Sequence, residues 1–191
     1  MASALAATGK SQNGWPASAR GADIGITSVA IPLSRGTKTV SIARGAAPAL
    51  VEIIKWWDAN VEPIDTVYGY NYREIRGYEG TGTISNHGSG TAVDINASRH
   101  PLGAQGTIPA FTAARLVAKC ASLGLRWGGT YRHRKDEMHV EILSPPGVEA
   151  LVRAAGGAAS TAARIWWWGA VVGVVGLTGW WAWRRWGARG A

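Results

Sequence analysis

An α+β fold with a small antiparallel sheet and flanking helices, followed by one C-terminal transmembrane helix, is what this sequence predicts. Three observations carry the expectation. Apolar residues recur at helical spacing in two places, 46–60 and 109–123. Short β-branched or alternating runs lie between and after them. A stretch without a single charge, Ile165–Trp183, lies near the end of the chain. The order helix, strands, helix, strands predicts an antiparallel sheet.

Residues 1–45 mix Gly, Ser and Ala with two β-branched runs, Ile24–Ile31 and Thr37–Ile42. They read as an irregular N-terminal arm with short strands, packed on the core domain. In Ala46–Asn60 the stripe Leu50, Val51, Ile54 and Trp57 marks a helix, which Glu62-Pro63 ends. Val67–Ile84 is rich in Tyr and Gly, hence strand and loop. Ala92–Asn96 alternates as a strand, with Ala92, Asp94 and Asn96 on one face. Pro109–Leu123 reads as the second helix, with Pro109 in its first turn and Gly124 as its stop. Leu125–Trp127 and Met138–Leu143 read as strands, and Pro145-Pro146 closes the domain near residue 150.

Ile165–Trp183 is 19 residues long, which at about 1.5 Å per residue approaches the thickness of a bilayer core. Trp166–Trp168 at one end and Trp180, Trp181 and Trp183 at the other resemble interfacial belts. Gly169 and Gly173 would let two such helices approach and self-associate. The resulting layout is an arm over 1–45, a core over 46–150, a linker over 151–164, a membrane helix over 165–183 and a basic tail over 184–191. Met1–Lys10 lacks a basic start and a long apolar run, so no secretory leader is predicted. The expected location is therefore a membrane anchored by the C-terminal helix, with its orientation open.

Charge excludes one class of partner. The net charge is +8, yet residues 1–149 carry 15 basic against 12 acidic residues, while 150–191 carry five arginines and no acid. The body of the chain is only mildly basic and lacks aromatic–basic interleaving, so no nucleic acid is expected. The lone cysteine, Cys120, rules out an intramolecular disulfide and reads as a small core residue.

Two of the four histidines stand in informative company. His87 and Asp94 are seven residues apart across a Gly-rich turn, and His139 has acids three residues before it and two after. Two imidazoles and a carboxylate would leave one tetrahedral position for water, the pattern of a catalytic zinc. Taken alone, these residues fit structural histidines equally well. His133 and His100 carry no assignment beyond a loop position.

Ser85, His87, Gly90, Ala92 and Asp94 resemble the Ser-x-His-x-x-Gly-x-Ala-x-Asp signature of the zinc D-alanyl-D-alanine carboxypeptidase family. That family includes VanY-type carboxypeptidases and phage L-alanyl-D-glutamate endopeptidases, and it shares its fold with the hedgehog signalling domain. Asp136-Glu137-Met138-His139 resembles the acid-x-x-His half of the site, and Met138-His139-Val140-Glu141 is similar to the phage endolysin branch. Further similarity runs through Tyr72–Gly77 and Arg126–Gly129, and Asn13-Gly14-Trp15-Pro16 resembles the opening of phage members. In all it covers residues 12–144.

The resemblance implies a metallopeptidase acting on peptidoglycan peptides, with one zinc ion on His87, Asp94 and His139. It implies Asp136 as proton carrier, with Glu137 one position too late for that spacing. Arg73 is implied as the cation at the developing oxyanion, with Arg76 as its rival. Ser85 is expected to hold Asp94 or substrate, Glu141 to orient a ligand imidazole, and Trp127 to be cleft wall or core. L-Alanyl-D-glutamate cleavage is preferred over D-alanyl-D-alanine cleavage. The alternatives are a non-catalytic zinc-containing wall-binding module and a holin-like membrane protein carrying the domain.

Overall fold

The computed structural model describes residues 9–143, all within the first of two units, Met1–Arg153. Eight strands are present among them: β1 (Gly9–Lys10), β2 (Pro16–Ala17), β3 (Ile26–Ile31), β4 (Lys38–Ala43), β5 (Val67–Tyr68), β6 (Ala92–Ile95), β7 (Leu125–Trp127) and β8 (His139–Ile142). Two α-helices, α1 (Ala47–Asn60) and α2 (Ala110–Ser122), complete an α+β arrangement of small sheets. The strands pair as a β1–β2 ribbon, a β3–β4 hairpin and a four-stranded sheet ordered β5-β6-β8-β7. Every strand pair in them is antiparallel.

Helix α1 forms where apolar residues share one face and Pro48 sits in the first turn, where its missing N–H costs nothing. The buried stripe is Ala49, Leu50, Ile53, Ile54 and Trp57. Val51 is half-buried, so the inward face is turned slightly from the expected one. Each fully buried Leu or Ile contributes about 1.5–3 kcal/mol. Pro109, expected inside the first turn of α2, is instead its extended N-cap, and Leu123 caps the other end before Gly124 at φ 70°. Leu116 and Cys120, four residues apart, are the buried positions of α2. Burial raises the Cys120 thiol to about 12, in keeping with a core role.

Within the N-terminal segment, the β3–β4 hairpin packs into the core. Ile31, Val40, Ile42 and Ala43 of the β3–β4 hairpin are buried in the same core as α1, β6 and β8. Strand β6 alternates in sequence but is buried on both faces, because the core lies against one face and the site against the other. Asn96 leaves the strand in a left-handed conformation, φ 47°, and its carboxamide accepts from the backbone N–H of Asp65 and Thr66.

The C-terminal expectation requires correction. Among the described residues no helix is long and apolar enough to cross a membrane. Both α-helices are amphipathic and shorter than a bilayer requires, at 14 and 13 residues. The described residues therefore form an α+β fold without a transmembrane helix. The membrane-anchored location, the membrane partner and pairing through Gly169 and Gly173 are withdrawn with it. Segments 151–164, 165–183 and 184–191 lie outside the described residues.

Candidate metal centre and cleft

Strand register builds the site. Asp94 on β6 stands directly opposite His139 on β8, and Tyr68 on β5 stands on the other side of Asp94. Two residues along the strand, Ala92 faces Glu141, which in turn faces Arg126 on β7. His87 comes from the short 3-10 turn 86–89 just before β6. Ser85 caps that turn: its Oγ accepts the His87 backbone N–H at 3.3 Å. It makes no bond to Asp94 among the described residues. Gly90 ends the turn at φ 66°, where a Cβ would lie 2.4 Å from Ile26 Cδ1 and 2.7 Å from Ala43 N.

The three side chains converge. His87 Nε2 lies 3.1 Å from Asp94 Oδ1 and 3.2 Å from His139 Nδ1, and His139 Nδ1 lies 2.9 Å from Asp94 Oδ1. One ligand atom from each falls within 4.8 Å of the others, and all three residues are buried. The outer ring nitrogens are engaged elsewhere. His87 Nδ1 is 2.7 Å from the Gly69 carbonyl, which can only accept, so Nδ1 carries the hydrogen and Nε2 presents its lone pair inward. His139 Nε2 is 3.3 Å from Glu141 Oε2, which leaves Nδ1 facing the centre. Two inward lone pairs and a carboxylate oxygen on one point fit a divalent metal ion.

Electrostatics agree with that fit. Burial opposes ionisation of Asp94, but hydrogen bonds with His139 and His87 outweigh it and hold the carboxyl well below its usual range. Glu141 behaves likewise: burial raises it, while His139, Tyr131 and Arg126 pull it down further. Burial also opposes charge on His139, yet Asp94 and Glu141 push it up to about 10. A proton and a metal cation are alternatives at that nitrogen.

Glu141 is more heavily bonded than its sequence position suggests. Asn86 Nδ2 donates to it at 2.6 Å, Tyr131 Oη at 2.7 Å, and Arg126 through Nε at 2.9 Å. Sequence reasoning missed Asn86, Tyr131 and the Gly69 carbonyl. Asn86 sits inside the first motif, but the other two carry no local signal, since only the fold brings them near.

Above the centre lies a cleft of about 910 Å3, lined among others by Arg73, Arg76, Arg132, Arg134, Asp136 and Tyr131. Asp136 Oδ1 and Arg73 Nε are buried there without a hydrogen-bond partner among the described residues. Burial raises the Asp136 carboxyl above its usual 3.8; His139 opposes the shift and the Asp94 charge adds to it. Burial, with Arg76 nearby, lowers Arg73. Trp127 does not line the cleft: it belongs to the core, and its indole N–H donates to the Glu137 carbonyl at 2.7 Å. Glu137 faces away from the metal centre, its carboxylate accepting from Gly106, Thr107 and Ile108. His133 lines the cleft, while His100 is buried beside Glu62.

No curated protein and no solved structure matches the chain. Residues 79–142 match the sequence model of a family described as D-alanyl-D-alanine carboxypeptidase. That segment holds His87, Asp94, Asp136, His139 and Glu141, and the match supports a metallopeptidase of this family there.

Proposed function

We propose that this chain is a zinc-dependent peptidase that hydrolyses amide bonds in peptides of bacterial peptidoglycan. The observation that carries the reading is the convergence of His87 Nε2, Asp94 Oδ1 and His139 Nδ1 at the base of the cleft that holds Asp136. Those three residues would hold one zinc ion. When bound, zinc polarises the scissile carbonyl and makes water acidic enough to attack near neutral pH. Asp136 accepts the proton of the attacking water and delivers it to the leaving amine. Its partial burial, and an Oδ1 with no partner among the described residues, suit a group that must both take and give a proton.

Arg73 steadies the negative charge that develops on the carbonyl oxygen, with Arg76, also in the cleft, as the rival for that role. Glu141 fixes the tautomer and orientation of His139. Ser85 acts on the site indirectly, by holding the turn that carries His87. Four cleft arginines, Arg73, Arg76, Arg132 and Arg134, have no carboxylate ion pair among the described residues. Stem peptides of the wall carry free carboxylates that would complement them.

The preferred bond is L-alanyl-D-glutamate, in a lysis enzyme of phage type. Asp136, the Met138–Glu141 run and Asn13–Pro16 favour it by their likeness to phage members. Asn13 donates to Thr91 Oγ1 at 2.9 Å and to the Ile142 carbonyl at 3.0 Å, so that opening is tied to the core. The matched family's description keeps D-alanyl-D-alanine carboxypeptidase activity as the second reading. Digestion of purified muropeptides with the zinc-loaded protein, followed by mass spectrometry, separates the two. The first frees the L-alanyl residue from D-Glu, and the second removes terminal D-Ala. Asp136→Ala is expected to abolish either product while retaining zinc. Intact peptides in the presence of zinc would overturn the enzyme reading, and a fully active Asp136→Ala would overturn the role of that residue.

A further inference from the structure

A polar chain that the proposed chemistry does not use joins Glu62 to Glu137, the sequence neighbour of Asp136. Glu62, just beyond α1, lies with Oε1 3.0 Å from His100 Nε2. His100 Nδ1 is 2.8 Å from Thr107 Oγ1, and the Thr107 hydroxyl donates to Glu137 Oε2. Glu137 then collects three backbone N–H groups, from Gly106 at 2.7 Å, Thr107 at 2.8 Å and Ile108 at 3.2 Å. Both of its oxygens are committed, and the residue is 5% exposed. Its carbonyl accepts the Trp127 indole.

Asp136 needs such a neighbour. Its Oδ1 has no hydrogen-bond partner among the described residues, so none of them holds the carboxylate in place at that atom. Its backbone is pinned instead: Asp136 N donates to Gly128 O at 3.2 Å, and His139 N donates to Asp136 O at 3.1 Å. A Cβ on Gly128 would come within 2.4 Å of the Asp136 carbonyl oxygen, so the two backbones are in close approach. Glu137 supplies the remaining restraint, because the amides of 106–108 fix the side of the chain opposite the cleft.

We propose that Glu137, clamped by the amides of residues 106–108 and backed by the Glu62–His100–Thr107 chain, is the positioning residue for Asp136. The inference rests on Asp136 as the proton carrier. Glu137→Gln places an NH2 group against N–H donors, which loosens the clamp and leaves the zinc ligands and the cleft arginines in place. Thr107→Val is the milder variant: it removes the hydroxyl that joins His100 to Glu137 and keeps the shape of the side chain.

The test measures kcat, KM, zinc stoichiometry and Tm for the full chain carrying each substitution, on the muropeptide the wild type cleaves. Expected for Glu137→Gln is a fall in kcat of about ten- to a hundredfold, with KM and zinc content unchanged. Thr107→Val is expected to move kcat the same way by less. Equal kcat in Thr107→Val and in any folded Glu137→Gln, or losses that follow zinc content or KM, would overturn the clamp. If Glu137→Gln fails to fold, Thr107→Val alone decides between these outcomes. Loss of activity in Asp136→Ala alongside full activity in both clamp variants would sink this inference and leave the peptidase reading standing. Full activity in Asp136→Ala would remove the basis of the clamp as well.

Discussion

At the scale of single residues, the site is a set of groups whose partners decide their state. Asp94 and Glu141 are buried acids, yet each is held ionised by the hydrogen bonds it accepts. Asp136 is half-buried, its Oδ1 is buried with no hydrogen-bond partner among the described residues, and burial moves its carboxyl the other way. On the proposed reading, three carboxylates within one site thus serve three ends: ligand, support and proton carrier. Glu141→Gln is expected to weaken zinc binding by about ten- to a hundredfold, since a neutral amide would no longer draw the His139 ring into place as strongly. Titration with a competing chelator measures it, and unchanged affinity would deny Glu141 that role.

At the scale of elements, the 3-10 turn before β6 is the most constrained piece of the site. It must turn sharply enough to bring His87 over Asp94, seven residues on, and it does so against the β3–β4 hairpin. Ala43 N donates to the Gly90 carbonyl at 2.9 Å, and the hairpin backbone leaves no space for a side chain at Gly90. Gly90→Ala is expected to destabilise the fold by about 1–3 kcal/mol, from the left-handed backbone alone, with further loss from overlap at Ala43. Chemical denaturation reads the stability, and zinc titration should show weaker binding as His87 shifts. A variant as stable as wild type would show that the hairpin yields more readily than its packing indicates. Hairpin and turn together explain why β3 and β4 are integral to the domain.

At the scale of the whole molecule, two properties arise from how charges are distributed. Glu62 and Glu137 are held below their ordinary value of 4.5: burial raises each, and the hydrogen bonds of Asn96, Arg99 and His100, or of Thr107 and the 106–108 amides, outweigh it. Because the folded-state values are depressed, their stabilisation is complete above pH 4.5 and is lost as pH falls through the folded-state values. Thermal melts should therefore show Tm dropping below about pH 4.5, and Glu62→Gln should flatten that drop. An unchanged acid limb in Glu62→Gln would assign it to other groups. The second property is the cleft arginines, which should favour stem peptides with free carboxylates over amidated ones by about tenfold in kcat/KM, less at high salt. Paired substitution of Arg132 and Arg134 by Ala should narrow the ratio. Equal rates on both peptides with the wild-type chain would show that these arginines do not select substrate.

Helices α1 and α2 are legible in the sequence to within a residue at each end, because a one-sided apolar stripe has few other ways to be buried. The spacing of His87 and Asp94 across a glycine turn is legible for the same local reason. What the local pattern leaves open is whether His139 joins them, and there the register of β6 against β8 decides, setting Asp94 opposite His139. The part of Glu137 is likewise invisible, since its partners lie 29 to 31 residues away in sequence. A long uncharged run suggests a membrane helix, yet no described helix can cross a bilayer. Periodicity reports which side of an element faces inward, and so the sequence by itself determined the elements and the residue types the chemistry needs. Contacts between strands distant in the chain depend on pairing and packing, and so only the tertiary structure decided which of those residues meet.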